Sequence, residues 1–154
     1  MGKIKLQPDE YSISTDKNKL DLVAIHEYLS QRSYWAMRRP MECVERSIQH
    51  SLCFGVYADN GKQVGFARVV TDYSTFAWLC DVFILDDFRR RGLGKRLIDA
   101  IIAHPDLRDV PRIVLRTRDA HELYRRYAGF TGISNIERWM ERLVAPSVKL
   151  SEST

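Results

Sequence analysis

Apolar and polar residues alternate along several short segments of this chain, which is the pattern of β-strands with one buried face. The first segment, residues 11–15, places Tyr11 and Ile13 on one side and serines on the other. Two later segments are joined through Asn60-Gly61, a dipeptide typical of hairpin turns. The predicted strands cover residues 11–15, 52–57, 63–70, 76–85, 112–117 and 137–143.

Between the strands, apolar residues recur at intervals of three and four, which indicates amphipathic helices. Leu22, Ile25 and Leu29 form such a pattern in a helix that begins near residue 20. Pro40 is suited to open the next helix, and Gly129 to end the last one. Further helices are predicted over residues 41–50, 94–104 and 119–129, the last with Asp119 as its capping residue. The chain is therefore expected to have a mixed α/β fold.

The composition is that of one globular domain. Of the 154 residues, 45% are hydrophobic and 29% are charged. We expect a single domain over residues 1–154, with its core over about 11–143 and a disordered tail over 147–154. The three cysteines form no C-x-x-C pair, which argues against a disulfide framework and a metal site. The N-terminus lacks the pattern of a secretory signal, so a cytoplasmic location is expected.

Arginines gather in three short clusters, over residues 89–96, 112–118 and 125–126. The formal net charge of +4 is compatible with a nucleic acid, a membrane surface or a compact polyanion as partner. No nucleic-acid motif and no apolar stretch of membrane-spanning length is recognisable. A compact anion is therefore the expected partner, rather than a nucleic acid or a membrane.

One arginine cluster lies where an apolar strand leads into a helix. Unpaired N–H groups at a helix N-terminus bind anions, and glycines let a phosphate approach the main chain. Arginines add planar, charged donors that match phosphate oxygens. This segment therefore predicts a phosphate-binding loop, and its residues are Arg89, Arg90, Arg91, Gly92, Leu93, Gly94 and Lys95.

Two familiar phosphate loops do not match this segment. The dinucleotide fingerprint needs a third glycine, and the Walker loop needs Ser or Thr where Arg96 follows Lys95. The residues do match R-x-x-G-x-G, and Asp86-Asp87-Phe88 precedes them. This pattern resembles the pyrophosphate loop of the GNAT superfamily, the acetyl-CoA-dependent N-acyltransferases. Arg90 stands where that family more often has glycine.

A second segment resembles another signature of the family, a helix that carries A-x-x-L-Y and closes in G-F. Thr117 stands where many relatives have asparagine, and Ala128 lengthens the usual spacing by one residue. The resemblance covers about residues 11–143 and implies the GNAT fold, a mixed, mostly antiparallel sheet flanked by helices. The matching residues are Ala120, Leu123, Tyr124, Gly129 and Phe130.

The resemblance implies acetyl-CoA as co-substrate and no metal. Its pyrophosphate would bind at the arginine–glycine loop. Its pantetheine arm would lie along the preceding strand, where the matching residues are Val82, Phe83 and Ile84. These three would act through main-chain N–H and C=O groups, so their side chains remain free to serve the core.

The reaction implied is a direct attack of an amine on the thioester, with a main-chain N–H as donor to the oxyanion. By its matching position, Tyr124 would be the acid for the departing thiolate, because a phenol with a pKa of roughly 10 stays protonated at neutral pH. Asp81, at the start of the cofactor strand, is the candidate base. Asp119 and Glu27 are the alternatives.

An aromatic and basic segment precedes Pro40. In GNAT proteins the corresponding region borders the acceptor site, which makes Tyr34, Trp35 and Arg38, together with Arg39, candidates for substrate contact. The alternative is an aromatic plug over the core with solvated arginines. The two arginines hint at an acidic amine as acceptor.

The predicted function is transfer of an acetyl group from acetyl-CoA to a primary amine of a small molecule or peptide. The alternative is a non-catalytic CoA-binding module with the same fold. Dimerisation is common in the family, and the sequence leaves a homodimer open.

Overall fold

The computed structural model describes residues 10–145, and five strands within them form one sheet. The strands are β1 (Tyr11–Ser14), β2 (Leu52–Ala58), β3 (Gln63–Thr71), β4 (Ala77–Ile84) and β5 (Ile113–Leu115). They follow this order across the sheet, with antiparallel pairing from β1 to β4 and parallel pairing between β4 and β5. This mixed, mostly antiparallel sheet confirms the predicted fold class. The predicted tail, residues 147–154, lies outside the described residues.

Four α-helices in the described part of the chain flank the sheet. They are α1 (Leu22–Glu27), α2 (Met41–Gln49), α3 (Leu93–Ala103) and α4 (His121–Ala128), and a π-helical turn over Tyr28–Arg32 directly follows α1. Asp21 caps α1, because its carboxylate accepts a hydrogen bond from the N–H of Ala24 at 3.0 Å. Gly129 ends α4 with a φ of 69°, as its residue type predicts.

The helices pack in two pairs on opposite faces of the sheet. Successive side chains of a strand point to opposite faces, so Phe54 packs with α3 while its neighbour Cys53 packs with α2. Two cores result, one on each face. The first contains Phe54, Val69, Leu79, Leu97, Ile101 and Tyr124, and the second contains Ile25, Leu29, Val44, Ile48, Phe66 and Phe83.

A bulge interrupts β4 near its middle. Between paired positions, β3 advances two residues, from Phe66 to Arg68, while β4 covers three, from Phe83 to Cys80. Asp81 lies at the bulge with a φ of 53°, a left-handed conformation that a regular strand does not use. Bulges redirect side chains, and this one turns the Asp81 side chain into the protein, where it is buried.

The pairing between β4 and β5 is short. The three residues of β5 pair only with residues 77–79 of β4. Beyond Leu79 the C-terminal half of β4 has no described strand on that side. The predicted strand over 112–117 is therefore longer than the observed one, and the two strands separate where the candidate site lies.

The predicted strand over residues 137–143 is wrong. The structure has a 3₁₀ turn over Ile136–Arg138 and no regular element from there to residue 145. Met140 and Leu143 are 95% and 80% exposed, and their spacing of three would place them on opposite faces of a strand. The segment thus has no single apolar face that would fix a strand against the sheet.

Asp119 does not cap α4 as predicted. Ala120 occupies the capping position, and its N–H donates to the hydroxyl of Thr117 at 3.0 Å. Asp119 is instead exposed, with its carboxylate 3.6 Å from the guanidinium of Arg118. The hydroxyl of Thr117 thus bonds the residue that precedes α4, and no described side chain caps the helix itself.

Candidate active site

Two cavities of about 590 Å³ each open where β4 and β5 separate. The first, here called the loop cavity, is bordered by Val82, Arg89 and Gly92. The second, here called the arginine cavity, is bordered by Arg39, Arg68 and Arg116 among others. The cavities share one wall, formed by Tyr34, Trp35, Val82, Arg118, Asp119, Ala120 and Tyr124.

The floor of the loop cavity is the start of α3. Gly92 precedes the helix with a φ of 76°, which explains why glycine is needed there. A Cβ added at Gly92 or Gly94 would meet no atom within 4 Å, so the space above both is open. In the described part of the chain, no hydrogen bond uses the N–H groups of residues 92–95. This cradle of unpaired donors is suited to bind a phosphate-like anion.

The three arginines of the loop, Arg89, Arg90 and Arg91, differ in what their guanidinium groups contact. Arg89 borders the loop cavity and donates to the hydroxyl of Tyr28 at 2.8 Å. Arg91 donates to the hydroxyl of Tyr11 at 2.7 Å and does not border the cavity. Arg90 borders the cavity with a φ of 64°, and its guanidinium has no hydrogen bond to a described residue. Arg90 is thus the arginine most available to a bound anion, while Arg91 ties the loop to β1.

The other predicted cofactor residues also divide into those that border the loop cavity and those that do not. Val82, Phe83 and Ile84 border the loop cavity, on the side of β4 that β5 leaves open. The ring of Phe83 stacks on Tyr28 with centroids 4.0 Å apart, so its side chain serves the core. Lys95 does not border the loop cavity and forms an ion pair with its own helix.

Tyr124 lies at the junction of the two cavities. Its side chain is 7% exposed, and its hydroxyl makes no hydrogen bond to a described residue. Burial raises the pKa of Tyr124 to about 12, with a smaller contribution from Tyr34. The phenol is therefore protonated at neutral pH and has a hydrogen bond to donate into the junction.

The extra residue after Tyr124 is accommodated in the helix end. The N–H groups of both Gly129 and Phe130 donate to the carbonyl oxygen of Tyr124, the second at 3.2 Å. These wide turns take up the additional residue Ala128, and the ring of Tyr124 meets that of Phe130 edge-on at 5.7 Å.

Asp81 is enclosed by three donors. It is 4% exposed, and its carboxylate accepts hydrogen bonds from Trp35 at 2.9 Å, Arg39 at 2.8 Å and Arg68 at 2.9 Å. Arg68 also donates to the hydroxyl of Ser51 at 3.0 Å. Two guanidinium groups stabilise the ionised carboxylate, which in turn fixes their positions.

The residues predicted to contact the acceptor lie in the segment that precedes Pro40, and part of this segment borders both cavities. The hydroxyl of Tyr34 accepts from the N–H of Arg118 at 2.9 Å, and the guanidinium of Arg118 lies 3.9 Å from the ring centroid. Trp35 borders both cavities. Arg38 is exposed with a φ of 63° and borders neither, whereas Arg39 borders the arginine cavity.

A comparison with profiles of protein families identifies the family of this chain. The profile described as the Acetyltransferase (GNAT) family matches residues 21–130. The chain belongs to the GNAT family. The two segments that suggested this family in the sequence, the arginine–glycine loop and the tyrosine helix, thus indicated it correctly.

Individual relatives agree with this assignment. A crystal structure of a GNAT-family protein from Xanthomonas campestris, named as an acetyltransferase, is 51% identical and has a TM-score of 0.84. The match covers 87% of this chain and 93% of that chain. FG08082 of Gibberella zeae, also named as an acetyltransferase, is 31% identical over 81% of this chain and 86% of its own length. A Deinococcus radiodurans structure, 17% identical, shares the fold with a TM-score of 0.68 over 92% and 94% of the two chains.

Sequence reasoning missed several residues of this GNAT site. Arg68 and Trp78 border the arginine cavity together with Arg116 and Arg118. An arginine inside the apolar strand β3 was a signal for Arg68, because a charge on a buried strand needs a partner. No comparable signal marks the others, since their positions depend on how β4, β5 and residues 33–39 meet.

Neither a metal centre nor a membrane-spanning helix is found between residues 10 and 145. No group of three or more His, Cys, Asp or Glu side chains in this range is placed to hold a metal ion. No helix in the same range is long and apolar enough to cross a membrane.

Proposed function

We propose that this GNAT acetyltransferase moves an acetyl group from acetyl-CoA to the primary amine of a small molecule or peptide, by direct attack in a ternary complex. The observation that carries the proposal is the meeting of two cavities at Tyr124. One cavity has a floor of main-chain N–H groups without described partners, and the other is open to a second molecule. Each of the two substrates therefore has its own cavity, and their reactive ends meet at the junction.

Acetyl-CoA would be held by the loop cavity. The N–H groups of residues 92–95 would bind its pyrophosphate, with Arg89 and Arg90 at the edge. Main-chain groups of Val82 and Ile84, which face the side of β4 that β5 leaves open, would bond its pantetheine arm, whereas those of Phe83 face β3. The thioester supplies an acyl carbon that an amine can attack, and the protein's task is to align the two.

Tyr124 is proposed to assist the departing sulfur by a hydrogen bond. Its pKa of about 12 lies above the ordinary thiol value of roughly 8.5. Complete transfer of the phenol proton to a thiolate would therefore be uphill by about 5 kcal/mol. Tyr124 acts as a donor that stabilises developing charge on sulfur, and the attacking amine supplies the proton that the thiol finally carries.

The predicted base, Asp81, is proposed to act as a positioning residue. All three of its hydrogen bonds go to protein donors, and two of the donors are cations. Asp119 borders both cavities and is exposed, which makes it the better placed carboxylate to accept the amine proton, directly or through water. Glu27 is exposed and borders neither cavity.

Thiol release from acetyl-CoA with a panel of primary amines tests this function. We expect release that depends on both the amine and acetyl-CoA. Calorimetry with CoA runs in parallel and identifies the alternative, a non-catalytic CoA-binding module. Binding of CoA without thiol release from any amine would favour that module.

A further inference from the structure

The arginine cavity carries more positive than negative charge. Of the residues that the structure describes, four arginines border it, namely Arg39, Arg68, Arg116 and Arg118, but only two carboxylates, Asp81 and Asp119. Among residues 10–145, no lysine, histidine or glutamate belongs to the cavity wall. A ligand of this cavity therefore meets a positive field at close range.

The protein uses only part of the hydrogen-bonding capacity of these arginines. Arg68 is committed to Asp81 and Ser51, and Arg118 lies against Tyr34. Arg39 donates one guanidinium hydrogen bond to Asp81, and a fifth of its side chain remains exposed. A guanidinium has five N–H donors, so Arg39 retains most of them.

Arg116 provides the second uncommitted cation. It is exposed, and its guanidinium has no ion pair or hydrogen bond to a described residue. It follows directly after β5 and borders the cavity near Trp78, which is 40% exposed. A cation and an aromatic surface thus lie on the same wall.

We propose that the acceptor is a small primary amine that also carries an anionic group, a carboxylate or a phosphate, bound by Arg39 and Arg116. This inference rests on the proposed function and names its substrate class. The cavity volume of about 590 Å³ suits a small molecule. Acceptors with additional cations, such as polyamines, are disfavoured because both carboxylates of the cavity, Asp81 and Asp119, already face arginines.

Matched pairs of amines test the proposal in the thiol-release assay. Phenylalanine is compared with phenylalaninamide, and 2-aminoethyl phosphate with ethanolamine, each at a pH where both amines of the pair are largely neutral. We expect kcat/KM to be about 10- to 100-fold higher for the anionic member of at least one pair, the range of a hydrogen bond to a charged group. The two pairs also distinguish a carboxylate from a phosphate.

Two variants, Arg116→Gln and Arg39→Lys, locate the source of this preference. Arg116→Gln is expected to reduce the ratio of anionic to neutral kcat/KM about tenfold, with the change mainly in KM for the amine. Arg108→Gln is the matched control, because Arg108 is exposed and borders neither cavity, and it should leave the ratio unchanged. A preference for the neutral amine, or a ratio that Arg116→Gln and Arg39→Lys both leave unchanged, would overturn the proposal.

Binding measurements separate failure of this inference from failure of the proposed function. The same amines are titrated by calorimetry into the CoA-bound protein. Binding of an anionic amine without thiol release would refute the catalytic function and support the anion site. Turnover of neutral amines only would support the function and refute the anion site, and the absence of both binding and turnover would refute both.

Discussion

Replacement of Asp81 by Asn tests whether this carboxylate holds the two cavities in place. The change preserves the shape of the side chain and its acceptor for Trp35, but removes the charge facing Arg39 and Arg68. Hydrogen bonds to charged groups contribute about 1.5–3 kcal/mol, against about 1 kcal/mol for neutral ones. Trp35 bonds one carboxylate oxygen and both arginines bond the other, so an amide oxygen kept on Trp35 turns the amide NH2 toward the two guanidinium groups. Both charged hydrogen bonds are therefore lost, and the two guanidinium groups lose their shared counter-charge.

The expected loss of stability is about 3 kcal/mol. It lies at the lower end of the roughly 3–5 kcal/mol for breaking a buried pair, because a fifth of the Arg39 side chain reaches solvent. For a chain of this length the melting temperature should fall by about 6–12 °C. Urea unfolding followed by tryptophan fluorescence measures the free energy directly, and calorimetric melting provides the temperature.

Asp119→Asn is the matched control for this experiment. Its carboxylate is exposed, so its removal should change stability by no more than about 0.5 kcal/mol. An Asp81→Asn protein as stable as the wild type would refute the positioning role. So would a loss of kcat of about 100-fold or more at unchanged stability, which is the signature of a general base.

Three further predictions concern the tyrosine and the loop. Tyr124→Phe should lower kcat about 10- to 100-fold at unchanged melting temperature, because the hydroxyl makes no hydrogen bond to a described residue. Since burial raises its pKa to about 12, Tyr124 stays protonated up to that pH, and the wild-type to variant ratio of kcat should stay constant from pH 7 to 11. A ratio that falls near pH 10 would contradict this. Arg90→Ala should raise KM for acetyl-CoA with little effect on stability, whereas Arg91→Ala should lower the melting temperature, because it loses the bond to Tyr11 and the contact with Phe88. Equal effects of the two variants on KM would refute this division.

The arginine–glycine loop was predictable because its structure is locally encoded. Gly92 requires a left-handed φ, and the strand and helix on either side follow from short apolar patterns. The hairpin at Asn60-Gly61 and the left-handed end of α4 at Gly129 follow from residue type in the same way. In each case the deciding interactions lie within a few residues.

The arginine cavity was only partly predictable because its contacts are distant in sequence. Asp81 meets Arg39 across 42 positions and Trp35 across 46, through a bulge that no residue type announces. Sequence reasoning identified Asp81 and Trp35 but not their contact. The prediction of a strand over 137–143 was wrong for a related reason. The β-propensity of a segment does not by itself supply a neighbouring strand with which it can pair.

The central claim is that the unpaired N–H groups at the start of α3 bind the pyrophosphate of coenzyme A. Titration calorimetry of CoA into the wild-type protein and the Gly94→Glu variant tests it most directly. Gly94 lacks the positive φ of Gly92, so a glutamate there adds charge and bulk to the open space without backbone strain. The account predicts saturable binding of CoA to the wild type and no detectable binding to a variant that melts normally. Absence of binding to the wild type, or equal affinity of both proteins, would contradict it.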